Sequence, residues 1–324
     1  MNDSTDIPIS DQATATEAAR VVTSGGFDSK AARLMQLATY ASVSVAAALI
    51  SVKIFAWALT ESISLLSTLI DSMLDLIASL VNLFAVRHAL QPADREHRFG
   101  HGKAEPLAGL AQAAFICGSA AFLLLEAGDR LINPRVVVNT EVGYAVMVLS
   151  IVLTVALVMF QRYVVKKSGS VAIGADSLHY QTDVLINLSV IASLYVTSEF
   201  GILYADPLFA VAIAGYIVWG AWQIGKMALD ILMDKELPDA ERARIREIVT
   251  AHSEVMGMHD LRTRTSGAHV FIQMHLELPP EMTLMKAHDI TDAVTDELMA
   301  VFPNAEVIIH EDPEGIEEDR AVFR

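Results

Sequence analysis

Six apolar stretches, each long enough to cross a hydrocarbon core of about 30 Å, occupy most of residues 34–228. They run over 34–58, 63–89, 106–128, 141–164, 176–200 and 206–228 and predict six membrane helices. Beyond Leu232 the pattern shortens. Residues 239–252 place Ile245, Ile248 and Val249 at helical spacing behind Pro238–Asp239. Residues 259–265 and 268–278 alternate instead, with Ser266–Gly267 between them, and predict a β-hairpin. Val270, Ile272, Met274, Leu276 and Leu278 share one face of its second strand; His269, Phe271, Gln273, His275 and Glu277 share the other. A helix over 283–301, with Ile290, Val294 and Leu298 inward, and a strand over 305–310 complete an αββαβ order. The fold class is therefore a membrane all-α six-helix domain followed by a small α+β domain.

The segments divide as a flexible N-terminal tail (1–30), a membrane domain (31–233), a small domain (234–313) and an acidic C-terminal tail (314–324). The sequence near 15–22 allows a short amphipathic helix within the first tail, which lacks the basic start and apolar core of a cleavable signal peptide. The first two spans turn tightly at Thr60–Glu61.

Composition agrees: 53% hydrophobic and 19% charged is too apolar for an ordinary soluble chain of 324 residues. The net charge of −16 resides mostly after residue 233, where 20 acidic side chains face nine basic ones. That balance excludes a basic nucleic-acid footprint. Lys30, Arg33, Arg95, Arg98, Lys103, Arg162, Lys166, Lys167 and Lys226 fall on one side of the spans, and only Arg130 and Arg135 on the other. The positive-inside rule then puts both termini in the cytoplasm. Lys53, inside the first span, is expected to snorkel to the interface. Cys117, the single cysteine, excludes an internal disulfide or thiolate metal site and is expected to pack.

The spans carry residues that a bilayer disfavours. Asp71 and Asp75 lie four apart in the second, and His179 and Asp183 four apart in the fifth, so each pair shares a helix face. An aspartate at the bilayer centre costs about 2.5–3.5 kcal/mol, and three cost roughly 8–10 kcal/mol. Three carboxylates and one imidazole can close a tetrahedral shell around a divalent metal, and the imidazole turns preference from magnesium or calcium toward zinc, cadmium, ferrous iron or manganese. Asn82 and Asn187 lie near the same faces and are expected to bridge helices. Metal binding demands deprotonated ligands, so protons and metal compete for such a shell.

Two further groups lie outside the spans. Asp94, His97 and His101 converge if their loop forms a helical turn, whereas Gly100 and Gly102 equally suit a coil; the group either binds metal or is simply solvated. His259, His275, His288, His310 and Asp312 crowd one small domain, and need a fold to bring them together. Dimerisation or metal binding would help hold so small a core.

With these residues assembled, the motifs LIDSMLD, QPADREHRFGHGKAEPLAGLAQ, ADSLHYQTD, HDLRTRTSG and VIIHEDP closely resemble the cation diffusion facilitator family, in particular bacterial ferrous-iron and zinc efflux proteins. The likeness runs from about residue 33 to 313. It implies a homodimer with six membrane helices per protomer and a metallochaperone-like, ferredoxin-like αββαβ domain. It implies transport at Asp71, Asp75, His179 and Asp183, and a peripheral site at Asp94, His97 and His101. It also implies a binuclear zinc site at the cytoplasmic dimer contact on His259, His275, His288, His310 and bridging Asp312, and a Lys103–Asp234 pair between protomers. Two departures stand out: Glu311, where a glutamine is usual and an added carboxylate would alter the binuclear site, and the N-terminal extension.

The expected function is efflux of a divalent cation (zinc foremost, also cadmium or ferrous iron, with manganese as a further substrate) by proton antiport across a bacterial inner membrane. The chain is not expected to be an enzyme: it has no HExxH, and two aspartates on one helix face cannot flank a peptide bond. A membrane-anchored metal receptor is the alternative, and it predicts no polar residues within the spans.

Overall fold

The computed structural model describes residues 29–60, 63–132, 141–202 and 204–315. The expected tails, the amphipathic segment at 15–22, most of the 129–141 loop and the Glu61 side of the first turn lie outside them. Contacts divide the chain into two units that meet in sequence at Met233–Asp234.

The first unit holds six long helices: α1 (Ser29–Thr60), α2 (Ile63–Ala89), α3 (Ala104–Ile132), α4 (Glu141–Ser168), α5 (Val171–Phe200) and α6 (Ala205–Leu232). Among the described residues, α1, α2, α3, α4 and α6 are apolar and long enough to cross a membrane, by length and composition. The 30 residues of α5 span about 45 Å. This helix touches all five others, and its stretch from Val171 to Thr182 is almost wholly buried. Shielding by protein rather than lipid lets it carry polar side chains.

Small residues make that close packing possible. A Cβ on Gly109 of α3 would come within 2.8 Å of Val171 Cγ1, and one on Gly220 of α6 within 2.8 Å of Leu178 Cδ2. At its start, α5 is capped by Ser170, whose hydroxyl accepts from the Ile173 amide at 3.1 Å. At its end, Gly201 adopts the left-handed conformation that closes many helices. Cys117, expected to pack, is exposed, because the buried stripe of α3 runs through Ala113, Ile116 and Ala120 instead.

The second unit contains α7 (Asp239–Thr250), β1 (Gly257–Ser266), β2 (His269–Leu278), α8 (Leu284–Val301) and β3 (Ala305–Pro313). The sheet order is β1-β2-β3, with β1 and β2 antiparallel and β2 and β3 parallel. The turn at Gly267, with φ of 61°, joins the hairpin, and α8 provides the crossover that a parallel pair requires. Ile245 and Val249 of α7, Ile290, Val294 and Leu298 of α8, and Ile272, Met274 and Leu276 of β2 form the core. Helices therefore cover one face of the sheet, and the other face is where the histidines stand.

Candidate metal centres

Three clusters of ligand-type side chains occur among the described residues: Asp75–His179–Asp183, Asp94–His97–His101 and His259–His275–Asp312. In each, one ligand atom per residue can be chosen so that all lie within 4.8 Å of one another.

The first cluster sits inside the helical unit, where α2 meets α5. His179 Nε2 lies 3.0 Å from Asp75 Oδ1, and the imidazole is nearly buried. The ring of Phe115 on α3 stands edge-on to it, 5.9 Å away. Asp71 is on the same face of α2 as Asp75, one turn earlier, but it is exposed and outside the 4.8 Å group. Of the expected quartet, the fold thus brings three together and leaves Asp71 outside the group.

Lys53, expected to snorkel, finds its partners on the neighbouring helix. Its ammonium donates to Ser72 Oγ at 2.6 Å and to the Thr68 carbonyl at 3.1 Å, both on α2. The packing of α1 against α2 offers a nearer partner than water. Asn187, expected to bridge helices, donates among the described residues to the Asp183 carbonyl in its own helix at 2.8 Å.

Sequence reasoning passed over Asp176, one turn before His179. It is completely buried, and Oδ2 accepts from Ser42 Oγ of α1 at 2.6 Å and Gln161 Nε2 of α4 at 2.7 Å. Nearby, Tyr180 and Ser79 of α2 share a hydrogen bond of 2.8 Å. The signal was available: a second aspartate in a span that already held His179 and Asp183.

The second cluster occupies the loop between α2 and α3, which forms a compact coil. Amides of Glu96 and His97 donate to Asp94 Oδ1 at 2.9 and 2.6 Å. Led by the His97 amide, these bonds hold the Asp94 carboxyl below its ordinary value, since they favour the charged form. His97 Nδ1 lies 3.5 Å from Oδ1 and His101 Nε2 3.4 Å from Oδ2. His101 is buried, and its Nδ1 has no hydrogen-bond partner among the described residues.

The third cluster follows from strand register. His259 lies opposite His275, and His275 beside His310, so three imidazoles line up across the sheet. Asp312, two residues after His310, faces the same way. Its Oδ2 is 2.8 Å from His275 Nδ1 and 3.2 Å from His259 Nε2, and its Oδ1 is 3.1 Å from His310 Nε2. One buried carboxylate therefore touches three histidines. His259 Nε2 is buried and not aligned for a hydrogen bond, while Nδ1 is held by Glu277 Oε1 at 2.7 Å. A ring oriented by an outer carboxylate with its other nitrogen left open is the usual arrangement of a metal-ligating histidine. The residues present fit a bound divalent metal. Glu277 had not been given this role, although it shares the outward strand face with His275.

His288 stands apart. It projects from the solvent side of α8 and pairs with Asp292 at 3.4 Å, whereas the cluster lies on the uncovered face of the sheet. Within one protomer these are opposite sides of the domain. Glu311, expected to alter the site, also points away: strand alternation turns it toward α8, where Thr291 Oγ1 donates to it at 2.8 Å.

Comparison with known proteins agrees with this architecture. Residues 39–233 match the cation efflux transmembrane domain, and residues 237–314 the cytoplasmic domain of cation efflux proteins. The chain is 48% identical over 283 residues to the cation-efflux pump FieF of Shewanella oneidensis, covering 87% of this chain and 95% of that protein. It is equally 48% identical over 281 residues to FieF of Salmonella choleraesuis, covering 87% and 93%. Among solved structures, the metal-bound C-terminal domain of the CzcD transporter from Thermotoga maritima is 27% identical, covering 25% of this chain and all of that one, with a TM-score of 0.24. A six-helix unit with ligand-type side chains in its interior, a small histidine-bearing αββαβ domain and these family and sequence matches along nearly the whole chain place it in the cation efflux, or cation diffusion facilitator, family.

Proposed function

We propose that this protein exports divalent metal cations, zinc foremost, from the bacterial cytoplasm across the inner membrane in exchange for protons, working as a homodimer with both termini cytoplasmic. The observation that carries this reading is the Asp75–His179–Asp183 cluster, whose ligand atoms lie within 4.8 Å of one another inside a membrane unit. Asp71, one turn along α2, completes the shell when α2 shifts or turns by a small amount relative to α5. The metal is cargo here. Deprotonated carboxylates and a neutral imidazole receive it, and protonation of those groups releases it. Cadmium, ferrous iron and manganese suit the same mixed nitrogen and oxygen set.

The other two clusters serve assembly and regulation. Asp94, His97 and His101 form a peripheral site. His259, His275, His310 and bridging Asp312 hold zinc in the cytoplasmic domain, where His288 of a second protomer contributes from outside. Metal there would offset part of the domain's excess of negative charge and stabilise the paired domains by mass action.

Purified protein in sealed vesicles tests the proposal. Zinc is expected to move when a pH gradient of opposite sense is imposed, and to stop when an ionophore collapses that gradient. Zinc flux indifferent to the gradient would remove the antiport reading. Absence of flux for zinc, cadmium, iron and manganese alike would favour an anchored metal receptor.

A further inference from the structure

On the back of α5, opposite the metal ligands, an open groove of about 490 Å³ runs between α4, α5 and α6. Gln181 and Leu185 follow His179 by two and six residues, which sets them on the far side of the helix. The walls are apolar: Val155 and Met159 of α4, Leu185 of α5, and Phe209 and Ala212 of α6. One end is polar. There Arg162 Nη2 donates to Gln181 Oε1 at 2.6 Å, and the Tyr216 hydroxyl donates to the same oxygen at 3.5 Å. Gln181 is itself fixed, because its amide donates to the Ser177 carbonyl at 3.0 Å and to the Ser177 hydroxyl at 3.2 Å.

We propose that this groove binds one anionic glycerophospholipid, with the phosphate on Arg162 and one acyl chain along the apolar walls. The guanidinium has five N–H donors in a fork that suits phosphate oxygens, and Gln181 engages only one nitrogen. Lys166 and Lys167, exposed in the last turn of the same helix, extend the positive charge toward the headgroup plane. From Arg162 down to Val155 is seven residues, or about 10 Å of apolar wall. That length suits the upper part of a lipid tail lying parallel to α4. Charge complementarity thus selects an anionic headgroup, and the apolar walls select a chain, where a free phosphate would use only the lip. A lipid seated there braces the helix that carries His179 and Asp183 from behind. The inference rests on the membrane fold alone and does not depend on which metal is moved.

The test uses full-length protein stripped of lipid and offered phosphatidylglycerol or phosphatidylcholine with identical chains, with retained lipid counted by native mass spectrometry. The wild type is expected to retain phosphatidylglycerol preferentially. Arg162→Gln should lower that preference about fivefold, the share of one basic group at an anionic surface. Ala212→Phe, which fills the groove from its exposed wall and leaves Arg162 in place, should lower it as well. Lys226→Gln removes an exposed charge outside the groove and should change nothing. Equal losses for Arg162→Gln and Lys226→Gln would overturn the proposal in favour of general surface charge. Unchanged retention in Ala212→Phe would overturn the chain seat. A cross-linked dimer formed through Ala212→Cys in a Cys117→Ala background would overturn it in favour of a second copy of the chain.

Discussion

Removing the carboxylate behind His259 should weaken metal binding in the cytoplasmic domain without removing a ligand. Glu277 Oε1 holds His259 Nδ1 at 2.7 Å, which leaves Nε2 facing Asp312. Outer carboxylates of this kind are worth 10- to 100-fold in affinity, or about 1.4–2.7 kcal/mol. In Glu277→Gln the amide oxygen still accepts from Nδ1–H, so ring orientation survives and only the charge is lost; the cost should sit near the tenfold end. In Glu277→Ala both are lost, and the cost should approach 100-fold. Gly257→Ala gives an independent route to the same effect. A Cβ at Gly257 would meet Glu277 Oε2 at 2.7 Å, so the methyl group must push the carboxylate aside. Zinc affinity would be measured by chelator competition on full-length protein carrying His97→Ala and Asp183→Ala, so that only the cytoplasmic cluster titrates. The expected order of loss is Gln, then Ala, with Gly257→Ala between. Affinity unchanged in Glu277→Ala would refute the assignment of Nε2 as the ligating nitrogen.

His275→Ala combined with Asp312→Ala should lower the zinc count and abolish the chelator-sensitive part of thermal unfolding, with metal still retained at the membrane cluster; a full count by mass spectrometry would contradict this. His179→Asp should shift selectivity toward manganese at the expense of zinc, because a softer nitrogen ligand becomes a hard oxygen; competitive uptake into vesicles measures the ratio. Burial holds His269 below its ordinary value, with Glu306 opposing weakly, so the unfolded chain binds this proton more readily. The stability it affects is full above about pH 6.5, the unfolded value, and is lost as pH falls from there through the lower folded value. His269→Gln should flatten the acid side of the melting-temperature profile in that window, and an unchanged profile would count against it.

The helices, the sheet and most of the clustered ligand-type side chains were legible in the sequence because each rests on a local period. Spacings of four residues put His179 and Asp183 on one helix face, and alternation put His275, His310 and Asp312 on one strand face. What required three dimensions was the choice among equally spaced partners. Nothing local says that α5 is the central helix, yet its burial is what makes Asp176 a fully enclosed carboxylate bonded to α1 and α4. Lys53 reads as an interfacial lysine until α2 is placed beside it. The role of Glu277 depends on the pairing of β1 with β2, and the separation of His288 from the cluster on which side of the sheet α8 covers. Glu311 is settled by strand alternation alone, which turns it to Thr291 and away from Asp312.

Transport as proposed requires cargo to pass through the cluster between α2 and α5. The decisive measurement is simultaneous zinc and proton flux in vesicles containing wild-type protein, Asp75→Ala or Asp183→Ala, each shown by size-exclusion chromatography to be folded and dimeric. Wild-type protein should move zinc and protons in opposite directions. Each variant should move neither, since one lost ligand opens a shell whose atoms lie within 4.8 Å of one another. Normal zinc flux in a folded Asp75→Ala or Asp183→Ala variant would contradict the account.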